Sequence, residues 1–569
     1  MAFLTLMRIS LVGLNARYTH SCLALFYIRN ELLRNSDDFE VQIQQFTIND
    51  PYYEMLLQLS AGSFDYYFFS ASIWNSDLVV RLIDDLLRID PQHLCVVGGP
   101  QAEVIGKTIV HPRLFVVTGE IERVGPDFYK DLQERKLQQS YGAGGRGRDF
   151  SAPYVDSDFT DHLQNRHIYY EASRGCPFSC TYCLSAAHRG IYHKELTRVR
   201  AELDQILRWN PRVVRFVDRT FNDDTARTLA IWKFLAGQQC DTVFHFEMSP
   251  DRFTEEMFVF LENLPAGKFQ FEIGIQSTNG ATLKAIRRSM NIEVARINLL
   301  RLSRMNTIHL HADLILGLPY DTPSSFLASF REVFAMKPHY IQMGLLKVLP
   351  DTPMCHTAPE YGYTYSSTPP YSVFANTWLN HQDMQKLYWF CECVERFVNN
   401  RYFVSLWEYF RSSKLDIVAF FQRLLEVCRQ QGFFQRAPTQ EFLNSLLLDC
   451  LKNRHDFDYI LELLRYDWLR CGHRFLPEAL SVAEQKSSRT IKKMLFGFID
   501  DHSLSGSSGA ERMYLLKKGF FLECSEKFFE EQGFETGKGR HFLCFVPERT
   551  TGLRRFHRVE QFYLPEKPD

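Results

Sequence analysis

The chain has 569 residues, 45% of them hydrophobic and 23% charged, with 65 basic against 67 acidic side chains and a formal net charge of −2. That length implies roughly three to four domains with sizeable cores. The balance excludes a disordered polyelectrolyte and gives no electrostatic footprint for a long nucleic-acid partner. Fourteen cysteines scattered over so long a chain do not form a secreted disulfide framework. No apolar run reaches the ~18 residues of a membrane span. Met1 to Arg8 lacks the charged region, apolar core and cleavage site of a signal peptide. A reducing cytoplasm is the expected location.

The first third alternates short apolar strands with helical stretches. Arg8–Gly13 reads as a strand, followed by a helix from Ser21 to Leu33. Val41–Phe46, Tyr66–Ser72, Leu94–Gly98 and Leu114–Thr118 repeat the strand signal, with amphipathic segments such as Asp77–Ile89 between them. This α/β alternation predicts a doubly wound, Rossmann-like parallel sheet over 7–137. Such sheets bind ligands in the loops beyond the carboxyl ends of their strands. Small and polar residues gather there: Asn15 to Ser21, including Tyr18 and His20; Ser70, Ser72, Trp74 and Asn75; Gly98-Gly99-Pro100; and Gly119-Glu120. No G-x-G-x-x-G or G-K-[ST] phosphate loop is present, so the loops say that something binds without saying what.

Residues 138–166 read as a linker, its Gly142–Arg148 segment being free of periodicity. Gly-Arg runs also occur in RNA-binding tails, but a single copy between two domains favours the linker. The strand-like Ile168-Tyr169-Tyr170 then enters the run Glu171-Ala172-Ser173-Arg174-Gly175-Cys176-Pro177-Phe178-Ser179-Cys180-Thr181-Tyr182-Cys183. The C-x3-C-x2-C spacing lets three thiolates converge on one four-iron cluster. One iron is left without a protein ligand, free to bind a small molecule and pass it an electron. A structural zinc site would need a fourth ligand, for which His188 and His193 are candidates. No second cysteine pair follows at finger spacing.

Strand signals resume at Ile168–Ala172, Val213–Asp218, Val243–Met248, Phe269–Ile275, Ile308–Leu316 and His339–Val348, with helical patterns such as Val199–Trp209 and Asp224–Leu235 between them. Six βα units over 167–355 make a partial (β/α)6 barrel, whose chemistry belongs at the carboxyl ends of the strands. There lie Asp218-Arg219-Thr220-Phe221-Asn222, Glu247 and Ser249, Glu272 to Ser277, and His311 to Pro319. Glu272 and Gln276 are evenly spaced on one strand and share a face. Two polar groups facing a barrel interior are costly unless bonded, which favours a ligand there. His311 and Asp313 also share a face, where a satisfied interior pair fits as well as a ligand.

From Asn380 to Ile499 helical patterns dominate, rich in Phe, Tyr, Leu and Trp, and 356–569 is expected to be a mainly α-helical domain. Cys391 and Cys393, two positions apart on a helix, point to different faces and do not co-ligate. Ser503–Gly509 reads as a loop before a partly strand-like end that includes Phe542–Val546.

The cysteine run resembles that of the radical S-adenosylmethionine (SAM) enzymes. With the Rossmann loops before it, residues from about 8 to 350 resemble the cobalamin-dependent radical SAM enzymes, in a subgroup with an uncharacterised C-terminal extension. The resemblance implies that Cys176, Cys180 and Cys183 hold a [4Fe-4S] cluster whose open iron chelates SAM. Tyr182 then lies near the adenine. Asp218 and Arg219 occupy the place of the motif that holds the SAM amino group, although the usual Gly-Gly-Glu is missing. Glu247, Glu272 and Gln276 fall with the SAM-binding strand ends, the latter two where ribose is contacted, and Leu316 falls in the apolar adenine segment. Asn15, Tyr18, Ser70, Ser72, Trp74, Gly98, Gly99, Pro100, Gly119 and Glu120 surround the cobalamin. The D-x-H-x-x-G motif of methionine-synthase-like domains is absent, and the setting of His20 does not match it.

The implied reaction is methyl transfer to an unactivated carbon by a 5′-deoxyadenosyl radical and methylcobalamin. The implied partners are an unidentified organic substrate and an external low-potential electron donor such as a flavodoxin or ferredoxin. Rearrangement, cyclisation or oxidation without methylation remains open, as does a cobalamin- or redox-responsive binding protein without turnover. Methylthiotransferases of RNA or protein carry a second cluster on three N-terminal cysteines, whereas the first 170 residues here offer Cys22 and Cys95. The C-terminal part is expected to cover the open barrel and shape the substrate pocket.

Overall fold

A computed structural model describes residues 6–144, 150, 152–187, 190–481, 488–496, 509–537, 539–547 and 557–564. Part of the glycine-arginine linker (145–148), His188 and the 503–508 segment lie outside the described residues. The chain divides into two compact units, Met1–Pro338 with Gln342–Met384, and His339–Ile341 with Gln385–Asp569.

The first unit begins with β1 (Met7–Asn15), α1 (Leu23–Asn35), β2 (Phe39–Thr47), α2 (Tyr52–Ala61), β3 (Tyr66–Ser70), α3 (Ser76–Ile89), β4 (Leu94–Gly98), α4 (Ala102–Thr108), β5 (Leu114–Thr118), α5 (Pro126–Gln133) and β6 (Ser140–Gly142). These strands form one parallel sheet in the order β2-β1-β3-β4-β5-β6. Ser140–Gly142, inside the segment read as a linker, adds the sixth strand. The run Tyr66-Tyr67-Phe68-Phe69 is buried throughout, as a strand covered on both faces requires. On one face α2, α3 and α4 pack Leu59, Leu82, Leu86 and Ile105 against Tyr67, Phe69 and Val97. Each such burial is worth about 1.5–3 kcal/mol. The other face carries Phe128 of α5, 6.4 Å from Phe68 between ring centres. The register sets Ser70 level with Gly13 and Gly98, so the loops begin from one edge.

After α6 (Asp158–Asp161), tied to α1 by a buried Arg29–Asp158 ion pair, comes a second six-stranded sheet. Its elements are β7 (Ile168–Tyr170), a hairpin of β8 (Ser173–Cys176) and β9 (Gly190–His193), α7 (Leu196–Leu207), β10 (Val213–Phe216), α8 (Thr225–Ala236), β11 (Val243–Met248), α9 (Glu255–Glu262), β12 (Phe269–Gln276), α10 (Gly280–Ala285), α11 (Ile292–Met305), β13 (His309–Leu316), α12 (Pro323–Ala335) and β14 (Tyr340–Leu345). The sheet order, β14-β13-β12-β11-β10-β7, follows the chain, with the hairpin outside it. This is the six-unit partial barrel expected from the sequence. Asp224, Thr254, Asn279, Asn291 and Thr322 accept backbone N–H bonds at the starts of α8 to α12, fixing where each helix begins.

Loops of the first sheet meet the β7 edge of the second. His167 donates its backbone N–H to Thr19 (2.7 Å), and the Ser21 hydroxyl donates to the His167 carbonyl (3.0 Å). Beyond β14, the buried Tyr371 hydroxyl donates to Gln101 Oε1 at 2.7 Å, from the loop after β4.

The second unit is mainly helical, with a three-stranded antiparallel sheet at Phe520–Cys524, Arg540–Pro547 and His557–Leu564. Its aromatic residues pack as core: Trp407 lies 5.7 Å from Phe410 and 5.4 Å from Phe421 between ring centres. Among the described residues no helix is long and apolar enough to cross a membrane.

Candidate active site

The β8–β9 hairpin pairs Cys176 with Gly190 and projects the cysteine loop from the end of β7. Gly175 sits at φ +109°, a left-handed position where glycine carries no Cβ penalty. The loop is pinned from several sides. Thr181 donates its N–H to the Ile286 carbonyl (3.0 Å), Met354 donates to the Thr181 carbonyl (2.8 Å), and Cys183 donates to the Cys180 carbonyl (3.1 Å). All three thiols are free and line one cavity, together with Phe178, Tyr182, Arg219, Thr220, Glu247, Ser249, Glu272, Gln276, Arg288 and Asp313. Its empty space, open solvent included, is about 730 Å³.

Cys176 Sγ lies 3.6 Å from Thr220 Oγ1, and Arg288 Nη1 donates to Cys180 Sγ at 3.8 Å. Burial raises the Cys180 thiol pKa, and the Arg288 cation pulls it back down. Among the described residues no three His, Cys, Asp or Glu side chains converge tightly enough to hold a single metal ion. A four-iron cluster does not ask for that, since its cysteines bind different irons. Three thiols on one cavity wall, with cations beside them to offset thiolate charge, fit such a cluster.

The same cavity also carries acidic side chains. Burial raises Glu247 to about 7, with Arg219 opposing and Glu272 reinforcing the shift. The Arg219 guanidinium stands 3.6 Å from Glu247. Asp313 is pushed well above the usual carboxylate range by burial, then by Glu272 and Glu247. Glu272 goes the other way, held low chiefly by His245, 3.2 Å away, with Arg215 at 3.6 Å. Burial thus shifts Glu247 and Asp313 toward the neutral form, while Glu272 is held toward the ionised one. The loop carrying Arg219 and Thr220 is fixed to the end of β11 by a reciprocal pair. Asn222 Nδ2 donates to the Ser249 carbonyl (2.9 Å), and the Ser249 N–H donates to Asn222 Oδ1 (2.8 Å).

Of the residues expected around SAM, Tyr182, Arg219, Glu247, Glu272 and Gln276 line this cavity. Asp218 and Leu316 do not. Asp218 is buried and braces the entrance to the hairpin, accepting from the Ala172 N–H (3.0 Å) and the Ser173 hydroxyl (2.6 Å). Leu316 is 1% exposed within the core. Thr220 and Arg288 were not singled out as ligands from the sequence. The Arg287-Arg288 pair after a short helix has the signature of a solvated turn.

A second, mostly apolar cavity opens at the carboxyl ends of β3, β4 and β5 under α1. It is lined by Ala24, Tyr27, Ile28, Phe68, Phe69, Ser70, Val96, Gly98, Gly99, Val117, Gly119, Glu120, Ile121, Glu122 and Arg174. Gly99 (φ +95°) lets the chain pass against Ala71, where a Cβ would come within 2.5 Å of the Ala71 carbonyl oxygen. Ser70, Gly98, Gly99, Gly119 and Glu120 thus meet as the sequence expects. Asn15, Tyr18, Ser72, Trp74 and Pro100 lie outside this cavity. Asn15 donates to Gln45 Oε1 (3.1 Å), and the Ser72 N–H donates to Asn75 Oδ1 (2.7 Å). Tyr18 is 59% and Trp74 56% exposed, and Pro100 is also exposed. His20 bonds the Tyr169 hydroxyl, and burial followed by Arg215 lowers its pKa. An apolar pocket for a flat or branched ligand, rimmed by glycines, fits the tail of a cobalamin.

Residues 170–333 match the family model of the radical SAM superfamily, and residues 359–513 match a model described as a protein of unknown function (DUF4080). The chain is 26% identical over 327 residues to 2-(S-pantetheinyl)-carbapenam-3-carboxylate methyltransferase of Streptantibioticus cattleyicolor, covering 52% of this chain and 46% of that protein. The match thus spans about half the length of that relative. Among solved structures, the cobalamin-dependent SAM radical enzyme OxsB superposes with a TM-score of 0.57 at 14% identity, covering 93% of this chain and 84% of that one. The radical SAM methyltransferase TsrM of Kitasatospora setae, solved with tryptophan substrate and a SAM analogue, superposes with a TM-score of 0.51 at 16% identity, covering 64% and 79%. At those identities the likeness is one of fold.

Proposed function

We propose that this radical SAM enzyme, built on the cobalamin-dependent architecture, is a methyltransferase that carries its methyl group to an unactivated carbon of an organic substrate. The observation that carries the reading is the pair of cavities in one compact unit: three free thiols on the wall of one, and an apolar, glycine-rimmed pocket at the strand ends of the other. When bound, the cluster and cobalamin supply a 5′-deoxyadenosyl radical from SAM and a transferable methyl group, chemistry that no side chain provides. The chain's own part is to hold, orient and shield.

Cys176, Cys180 and Cys183 would hold the cluster. Tyr182, Arg219, Glu247, Glu272 and Gln276 would hold SAM, and Ser70, Gly98, Gly99, Gly119 and Glu120 the cobalamin. Arg288 offsets thiolate charge beside Cys180. Glu272, kept ionised by His245 and Arg215, offers a fixed anion to the positively charged sulfonium and amine of SAM. Glu247 and Asp313, both shifted upward by burial, would add less negative charge beside Glu272 than ordinary carboxylates. The name of the carbapenam relative and the tryptophan bound to TsrM support a small organic substrate. A low-potential donor such as a flavodoxin or ferredoxin would supply electrons.

The test is anaerobic reconstitution of the cluster, then addition of hydroxocobalamin, SAM and a low-potential reductant, with the nucleoside products measured by mass spectrometry. About one equivalent of S-adenosylhomocysteine per chain, dependent on cobalamin, is expected because charging the cobalt once needs no substrate. Formation of 5′-deoxyadenosine alone, lost in Cys180→Ala, would replace methyl transfer with another radical reaction.

A further inference from the structure

We propose that Arg174 is a positioning residue that couples occupancy of the apolar Rossmann cavity to the cysteine loop by donating a hydrogen bond to a neutral oxygen of the occupant. The inference rests on the reading of that cavity as the cobalamin pocket.

Arg174 lies on β8, two residues before Cys176, and its side chain is 8% exposed. Its Nη2 donates to Glu122 (2.8 Å), and its Nε donates to Glu171 (2.9 Å). Glu120 stands 3.4 Å from Nη1. The guanidinium lies over the rings of Phe150, at 4.1 Å, and Tyr27, at 5.1 Å. Glu120 and Glu122 belong to the Rossmann loop that follows β5, whereas Glu171 belongs to the barrel entrance. One cation thus ties the two sheets together at the strand that carries the first cysteine.

Two observations point to a ligand. Arg174 lines the apolar cavity, with Glu120, Glu122 and Tyr27 beside it. Its Nη1 is also buried and makes no hydrogen bond, Glu120 being placed for charge attraction only. A buried donor left without an acceptor is costly, so the wall asks for one. The charge count says which acceptor. Glu120 and Glu122, with Glu171 shifted upward by burial, already surround a single guanidinium, so a phosphate would enter a site with no spare positive charge. A carboxamide or ribose hydroxyl oxygen, both present on cobalamin, meets the donor without repulsion. Because β8 pairs residue by residue with β9, a shift of Arg174 moves Gly175 and Cys176 with it.

The test uses the full chain with its cluster reconstituted. Hydrogen exchange of peptides within 171–183 and the electron paramagnetic resonance spectrum of the reduced cluster are recorded with and without hydroxocobalamin. Binding is titrated by visible absorption. In the wild type, cobalamin is expected to slow exchange across 173–176 and to alter the cluster spectrum. Arg174→Gln should load the cluster, bind cobalamin about tenfold or more weakly, and lose both responses. Arg174→Lys, which keeps the charge without the fork, should keep the fold and also lose the responses. Cobalamin bound by the wild type with no change in either readout overturns the coupling, whether or not the variants fold. Equal cobalamin affinity in Arg174→Gln overturns the hydrogen bond. A wild type that takes up the cluster and retains no cobalamin overturns the pocket reading, and the proposal with it.

Discussion

Asp218 offers the sharpest separation of a brace from a ligand contact. Its two oxygens accept from the Ala172 N–H at 3.0 Å and the Ser173 hydroxyl at 2.6 Å, across the join between β7 and the cysteine hairpin. Burial raises its pKa, and the two donors and Arg227 pull it back. Asp218→Ala strands both donors in a site that is 2% exposed. At about 1–3 kcal/mol per unmet buried group, opening of this join becomes easier by about 3 kcal/mol. Since about 1.4 kcal/mol is a factor of ten, the Ala172 amide should then exchange roughly a hundredfold faster. Asp218→Asn keeps an oxygen for Ala172 and turns its amide toward the Ser173 hydroxyl, which can accept. Its exchange should therefore rise less than about tenfold. Hydrogen-exchange mass spectrometry on a peptide spanning 168–176, run beside a SAM-binding titration, reads both quantities. Unchanged exchange in Asp218→Ala, with SAM affinity lost, would refute the brace and return Asp218 to the cofactor.

Three further outcomes are expected. Glu247, raised from 4.5 to about 7, holds more protons folded than unfolded. Its contribution to stability is full below 4.5 and lost as pH rises through about 7, so Glu247→Gln should flatten the fall in Tm of the apo protein across that window. An unaltered profile would sink the assignment. Gly99→Ala places a Cβ 2.5 Å from the Ala71 oxygen at φ +95°. It should cost about 1–2 kcal/mol for the left-handed backbone alone and weaken cobalamin binding, as titrated by absorption. Retained affinity would show that the loop does not shape the pocket. In the second unit, Asp467 accepts from the N–H groups of Ser405 (3.0 Å) and Leu406 (3.3 Å) at the start of the helix Val404–Ser412. Asp467→Ala should destabilise that unit by about 2–4 kcal/mol in denaturant unfolding followed by helical circular dichroism. A loss below about 1 kcal/mol would contradict the capping role.

The first sheet was legible because its central strands are buried on two faces and appear as unbroken apolar runs, Tyr66 to Phe69 being the clearest, and the second because Phe269–Gln276 and His309–Leu316 alternate buried and half-buried residues at the period of a strand. The thiol cavity was legible from the cysteine spacing, and part of its polar lining from Glu272 and Gln276 on one strand. What spacing could not carry was side-chain direction where a strand ends. A carboxylate at position 218 looks the same in sequence whether it enters the cavity or turns back to Ala172. Likewise, a one-residue register shift between Gly274 and Gln276 is invisible to an alternating pattern. Arg174 was hidden for another reason: its partner Glu122 lies 52 residues away, so no local pattern foretells the ion network. Tyr18 and Trp74 carried aromatic loop signals, yet their rings stand largely in the open.

That register shift leaves Gln276 at φ +72°, a left-handed backbone that a side chain occupies at a cost of order 1–3 kcal/mol. At Gly274, two residues earlier, a Cβ would meet the Gln276 side-chain amide at 2.5 Å, so that a methyl group there would push this amide aside. Glycine at 276 would relax the backbone and remove an amide from the cavity. A laboratory selection for heat resistance alone would therefore be drawn to this codon, and the hardier survivors would be those that had lost the amide from the cavity wall.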